Sequence, residues 1–477
     1  MTDRRKKQVG YFVIPIVIAA VIFNVVDSRL GAVEASRVPL WLVAPFVLLL
    51  LAIAFAPFVD KSGWERNALT VVAALSAFVA TYYVYPLSNF MRVILSLRDY
   101  AGFLSLIGSL YVVAGGIHIS LRGKSAPYEN VILLGAGALL SNVLGTTGAS
   151  MLLIRPFLRN NRYRISGYHI VFFIFIVSNI GGALTPIGDP PLFLGYLKGV
   201  PFFWIFSKAW VAWASVVAML LAVFAVIDWL HFRRIPRSVQ REAMRPDEAR
   251  FSGTHNFWFL ALIIAAVFIE HPSMLREVIM WSAALGSFLT TSREVHRKNE
   301  FSFAPLKEVA VLFAGIFVTM IPALDWLELN ALSLGIHTPG QFFFWSGALS
   351  SVLDNAPTYL SFLSAAFGLH GASVDHVIHM NAMLGAVDPV AVGLVNPIVP
   401  GAFAITADSW KYVQAISIGS VFFGAMTYIG NGPNFMVKSI ADQAGIKTPS
   451  FVEYIWKYSI PLLLPLFALV WLFMFRG

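Results

Sequence analysis

Cysteine is absent from the 477 residues, which excludes disulfides, thiolate metal sites and thiol catalysis. Charge is scarce as well. Asp, Glu, Lys and Arg make up 12% of the chain, about half the roughly 25% of an ordinary soluble domain, so a water-soluble globule of this length would lack polar surface. There is no G-x-x-x-x-G-K-[ST] loop and no soluble domain, which argues against an ATP-driven pump or a soluble enzyme. The chain is filled instead by apolar residues, 58% in all with 40 Phe and 13 Trp, and its mean hydropathy is +0.74. They form many runs near the length of about 20 residues that a helix needs to cross about 30 Å of hydrocarbon. Barrel strands alternate and run only about 10 residues, so the fold class is an all-α polytopic membrane protein.

The net charge of +9 does not point to nucleic acid, because Lys and Arg punctuate apolar runs and do not form a patch. Runs long enough to span lie near 11–27, 39–58, 67–85, 100–120, 165–199, 203–230, 255–271, 275–292, 306–324, 411–440 and 452–475, about eleven helices. The first follows Arg4, Arg5, Lys6 and Lys7 and is too long for a signal peptide's apolar core, so it reads as a membrane helix. Two more apolar segments, 128–158 and 341–368, are broken centrally by Ser141–Gly148 and Ser350–Thr358 and read as re-entrant hairpins. With the N-terminus cytoplasmic and the C-terminus outside, 25 of the 34 Lys and Arg fall on inner segments, as the positive-inside rule requires. The hairpins then enter from opposite sides, each followed by an interrupted helix, which is the inverted-repeat plan of secondary transporters.

The expected organisation is scaffold helices over 1–99, a first repeat over 100–230 with hairpin 128–158 and broken helix 165–199, and a solvated cytoplasmic linker over 231–254. Further scaffold follows over 255–305, then a second repeat over 306–477 with hairpin 341–368 and broken helix 411–440. The expected location is the plasma (inner) membrane.

The sharpest local signal is Ser178–Pro191, with three Gly and three Pro inside a span. These break the i to i−4 ladder and release backbone groups that can meet an ion, as can Asn179 and Thr185. Asp189 lies in the same stretch. A carboxylate at membrane depth costs about 2.5–3.5 kcal/mol on insertion scales, so it is a functional candidate. The second hairpin tip supplies Asp354, Asn355 and Thr358, hard oxygen donors suited to an alkali cation, although an N-cap would also explain Asp354. The first tip offers Ser141, Asn142, Thr146 and Thr147 without a carboxylate, and the second interrupted helix offers Thr427, Asn431 and Asn434. Sodium ligands are expected among Asn142, Asp189, Asp354 and Asn355, with no catalytic residue and no cofactor beyond sodium as transported or coupling ion. The two tips are expected to share one small midplane cavity. His118 and His169 read as interhelical hydrogen bonders, and Asp325, Asp388 and Asp408 as interface residues, Asp408 in reserve for the site.

Asn179-Ile180-Gly181-Gly182 with Thr185-Pro186-Ile187-Gly188-Asp189-Pro190 resembles the N-x-G-G-x-x-(S/T)-P-I-G-(D/N) signature of the ion transporter superfamily. That superfamily contains NhaD-type sodium/proton antiporters, arsenite permeases, citrate carriers and dicarboxylate/sodium symporters. Leu353-Asp354-Asn355-Ala356-Pro357 is similar to the hairpin motif of the antiporter and arsenite branches. Leu144-Gly145-Thr146-Thr147 stands where NhaD-type proteins have an Asp-Asn pair, whereas Ser141-Asn142 and Gly432-Pro433-Asn434 resemble the dicarboxylate carriers. The resemblance implies an eleven-helix inverted-repeat fold, a homodimer and an elevator-like transport domain carrying both hairpins and both broken helices. Partners are then a second copy, the lipid bilayer and a small ion, with no nucleic acid. The leading function is sodium/proton antiport, for which Asp189 and Asp354 would alternate between proton and sodium. The alternative is sodium-coupled citrate or dicarboxylate symport, for which the hydroxyl and amide tips would serve.

Overall fold

The computed structural model describes residues 34–120, 125–234, 236, 250–269, 271–272, 274–390 and 401–476. The expected span 11–27 and most of the 231–254 linker lie outside them. After a 3-10 turn Leu40–Val43, the chain forms α1 (Ala44–Val59), α2 (Lys61–Val84), α3 (Phe90–Gly115) and α4 (Pro127–Asn160). It continues as α5 (Gly167–Ile176), α6 (Pro190–Leu197), α7 (Trp204–Arg234), α8 (Asn256–Val267), α9 (Leu275–Thr290) and α10 (Arg293–Lys298). Then come α11 (Ala304–Thr319), α12 (Ile321–Asn330), α13 (Pro339–Ser350), α14 (Asn355–Leu369), α15 (Val377–Met383), α16 (Trp410–Phe423) and α17 (Gly432–Gln443). A π-wound stretch, Tyr454–Leu463, leads into α18 (Leu464–Met474). The described strands are two short ones, β1 (His118–Ser120) and β2 (Arg250–Ser252), paired antiparallel with Ile119 opposite Phe251. The protein is thus an all-α polytopic membrane protein. Seven helical stretches among the described residues are long and apolar enough to cross a membrane. The higher count from sequence includes the first run, which lies outside the described residues, the shorter α8 and α9, and spans made by joining interrupted halves.

Element boundaries follow local chemistry. The Asp60 carboxylate accepts from Gly63 N at 2.9 Å and starts α2. Thr338 and Gln341 cap α13 reciprocally, at 3.3 and 3.0 Å. One expected span is corrected at both ends. The run 100–120 is the helix Phe90–Gly115, so the boundary drawn at 99/100 cuts through α3. Hydropathy missed its first turns because Arg92 and Asp99 lie there, yet both are paired within the fold. The run 306–324 likewise continues past Met320 into α12.

The segment 128–158 is a hairpin. Gly145 has φ 73°, ψ 156°, a left-handed conformation that a side chain would strain. Across the turn, a Cβ placed on Gly137 would stand 3.1 Å from Leu153 Cδ1. A straight helix would put those positions about 24 Å apart at 1.5 Å per residue. The second hairpin is α13 and α14, whose Phe342 and Phe362 rings meet at 6.2 Å. Both interrupted helices fold back over a glycine pair: a Cβ on Gly188 would be 2.0 Å from Gly182 O, and one on Gly430 2.6 Å from Gly424 O.

The two breaks repeat each other in detail. Thr185 Oγ1 accepts from Gly188 N at 3.1 Å and donates to Asn142 O of the first hairpin at 2.6 Å. Thr427 Oγ1 accepts from Gly430 N at 3.1 Å and donates to Ser351 O of the second at 2.5 Å. The packing interlocks, since α6 lies against α14 and α17 against α4. Around this body, α3 packs on α4, α6, α8, α9 and α11, while α1 and α2 pack on α11.

Candidate functional site

Asp189 is the N-cap residue of α6, 1% exposed, at the point where the backbone leaves the Gly182–Gly188 fold-back. Pro190 and Pro191 follow it, so the first turn of α6 has two fewer amides to satisfy its carboxylate. The donors come from three other elements. Thr146 Oγ1, just past the first hairpin turn, donates to Oδ1 at 2.9 Å. Asn431 Nδ2, at the start of α17, donates to the same oxygen at 3.0 Å. Asn355 Nδ2, at the second hairpin tip, donates to Oδ2 at 2.6 Å. All four broken elements therefore meet on one carboxylate.

Two amide oxygens near that carboxylate have no hydrogen-bond partner although their residues are fully buried: Asn355 Oδ1 and Asn179 Oδ1. Asn179 uses its amide nitrogen on Ile174 O at 2.9 Å and Asn434 Oδ1 at 2.5 Å. Its oxygen would lie 3.2 Å from a Cβ on Gly424, and Asn355 Nδ2 3.7 Å from the same point, so both amides look onto the second glycine fold-back. An unsatisfied buried carbonyl oxygen is costly. Asn355 Oδ1, on the amide whose nitrogen touches Asp189, and Asn179 Oδ1, which faces the second fold-back, are hard-oxygen donors of the kind a small cation takes.

A cavity of about 30 Å³ opens beside Asp189. Its walls are the first hairpin turn, Leu144–Gly148 including Thr147, the break Pro186–Pro190, and apolar side chains of α3 together with Phe193. Among the described residues no cationic side chain lines it. About 10–15 Å³ of such space holds one water, so the cavity has room for a small cation with water.

The remaining sequence candidates divide by their bonding. Asn142 donates to Ala138 O at 3.0 Å and Gly181 O at 2.6 Å, while its Oδ1 accepts from Leu184 N at 2.9 Å; it pins the first hairpin to the first break. Ser141 does the same through Gly137 O and Val177 O, at 2.8 and 2.7 Å. Asp354 caps α14, its Oδ1 accepting from Ala356 N at 3.0 Å, and Thr358 donates to Asp354 O at 2.9 Å. Asn434 donates to Gly424 O and Thr427 O, both at 2.9 Å, closing the second break. Thr185 and Thr427 hold the breaks as described above. The expectation of a shared cavity is corrected in its contacts: the tips meet through Thr146 and Asn355 on Asp189, and the cavity is lined by the first tip alone. The reason is that Asn142 is spent on the backbone of the first break and Asp354 on capping its own helix.

Sequence reasoning missed two buried ionic groups. Asp228 on α7 receives Arg164, Tyr168 at 2.7 Å and Asn130 at 3.0 Å, with His169 at 3.1 Å. Asp325, expected at an interface, is fully buried with Arg92. His118 bonds Asn299 Oδ1 at 2.7 Å, while Asp388 and Asp408 are exposed, the latter paired with Lys411.

Proteins named as uncharacterized transporters in Mycobacterium tuberculosis and Mycobacterium bovis are each 25% identical to this chain over 355 residues, 71% of its length and 75% of theirs. Four broken membrane elements converging on a buried carboxylate, and a match that runs from residue 35 to residue 475, place the chain in the family described as "Putative citrate transport".

Proposed function

We propose that this secondary transporter is a sodium/proton antiporter in which Asp189 holds the exchanged ion. The observation that carries the reading is the convergence of Thr146, Asn355 and Asn431 on the Asp189 carboxylate, with unbonded Asn179 and Asn355 oxygens at hand. A half-turn of the Asn355 amide exchanges its Nδ2 donor for its free Oδ1. That converts a cradle for a carboxylate into part of a shell for sodium. A proton on Asp189 and a sodium beside it are then mutually exclusive, which is the coupling an antiporter needs. Asp354, one residue from Asn355, is the second proton-carrying candidate.

A second reading is favoured by the family description and by the hydroxyl-rich first tip. In sodium-coupled citrate or dicarboxylate symport, sodium would occupy the same oxygens and neutralise the site, and the anion would approach the amides that open the helix after Gly145. The absence of a cationic side chain from the cavity lining, among the described residues, weighs against it. In either reading the interlocked hairpins and broken helices form the moving body of an NhaD-like elevator. The surrounding helices then serve as scaffold and homodimer contact, in the plasma membrane with the N-terminus inside.

The experiment is flux in proteoliposomes carrying an internal pH dye. A sodium or lithium gradient should drive proton movement without citrate. Proton movement that requires citrate would overturn the antiporter in favour of the symporter.

A further inference from the structure

Away from Asp189, at the end of the bundle where α6 turns into α7, a chain of buried ion pairs joins four parts of the fold. Arg92 of α3 donates to Asp325 of α12 through Nε at 2.8 Å, and through a second nitrogen to Asp375 in the turn after α14. Lys198, which ends α6, reaches Asp375 Oδ1 and Asp99 Oδ2 of α3, both at 2.6 Å. Tyr83 of α2 and Ser36 N complete the shell of Asp325 at 2.7 and 3.1 Å. Every oxygen of Asp325 and Asp375 is thus engaged, and each cation is shared between two aspartates.

One further carboxylate faces this chain without joining it. Glu328, one helical turn after Asp325 on α12, is 8% exposed, and its Oε2 has no hydrogen-bond partner. Ser373 hydrogen-bonds this carboxylate, the Arg92 guanidinium attracts it, Asp375 and Asp325 repel it, and His379 Nδ1 accepts from Ser373 N at 2.9 Å. The two backbones are in close contact here, since a Cβ on Gly368 of α14 would be 2.0 Å from Glu328 O. A buried anion needs a cationic partner or a proton, and the cations here are already committed.

We infer that Glu328 is a proton-binding site separate from the Asp189 centre, holding a proton on Oε2 taken from the aqueous phase at this face of the protein. One O–H bond forms, nothing else changes hands, and the cluster gains one positive charge. Because Lys198 and Asp375 tie α6 and the end of the second hairpin to α3 through the same cluster, Glu328 also sets the charge that this junction feels. In the antiport reading this face is the outer mouth, and the site loads protons there.

The test is infrared difference spectroscopy of the full-length protein in sodium-free nanodiscs between acidic and alkaline pH. The expected result is a protonated-carboxyl C=O band that shifts in D2O and disappears in Glu328→Gln. Should that variant fold poorly, carbonyl-13C glutamate in the native protein must shift the band, since Asp189 and Asp354 bands would stay in place. The Glu328→Gln melting temperature should match the native one, as the amide imitates the neutral acid, while Asp325→Asn lowers it by stripping Arg92. Absence of the band, its survival in Glu328→Gln, or no shift on glutamate labelling overturns the inference. The readout needs no transport, so it stands or falls separately from the antiport assignment.

Discussion

Replacing Asp189 by Asn removes one charge and keeps the shape. Three donors hold the carboxylate, from Thr146, Asn431 and Asn355. Hydrogen bonds to a charged acceptor contribute about 1.5–3 kcal/mol each and neutral ones about 0.5–1.5, so the substitution weakens them by a few kcal/mol in all. Against this, the buried charge no longer carries its desolvation cost, which is also several kcal/mol. The new amide hydrogens need an acceptor, and the unbonded Asn355 Oδ1 can turn to supply one. The opposing effects nearly cancel, so D189N should fold, with stability changed by no more than about 2 kcal/mol. Cation binding has no such compensation. A buried ion that loses its charged partner is destabilised by about 3–5 kcal/mol, which at 1.4 kcal/mol per tenfold is roughly a 100- to 3,000-fold loss of sodium affinity. Calorimetric sodium titration of purified protein, with a thermal melt and flux on the same preparation, measures all three. A folded D189N that binds sodium within about tenfold of native, or keeps sodium-driven proton flux, would refute the assignment of Asp189.

Asp354→Asn should keep the cap on Ala356 N, since Asn caps about as well as Asp; coupled sodium flux is nonetheless expected to vanish. Undiminished flux from well-folded D354N would remove Asp354 from the mechanism. Asp228→Asn leaves Arg164 buried without its anion and should cost about 3–5 kcal/mol of stability. Detergent melts would show that loss, while sodium affinity of the folded protein stays native. Gly188→Ala sets a methyl 2.0 Å from Gly182 O and should destroy the fold-back, seen as aggregation on gel filtration. Gly432→Ala, with nothing within 4 Å, is the matched control and should run and transport as native.

The interruptions of the spans were legible in the sequence because Gly and Pro act on the backbone locally, wherever the helix is packed. Gly145, Gly182 with Gly188, and Gly430 all sit where the chain turns back. Asp189 stood out for an equally local reason, the cost of a charge in hydrocarbon. Its partners were not legible as partners: Thr146, Asn355 and Asn431 lie 43, 166 and 242 positions away. Nothing in their own segments distinguishes them from Asn142 or Asn434, which spend their hydrogen bonds on closing the breaks.

Hydropathy also misread charges that the fold neutralises in pairs. Arg92 and Asp325 are 233 positions apart, so a scan of one segment at a time starts α3's span too late and sends Asp325 to the interface. The sequence by itself determined that this is a helical membrane protein with four broken elements, since chain composition and backbone breakers act within a few residues. Only the tertiary structure decided which oxygen meets which donor, because those contacts join positions whose separation along the chain carries no trace of their separation in space.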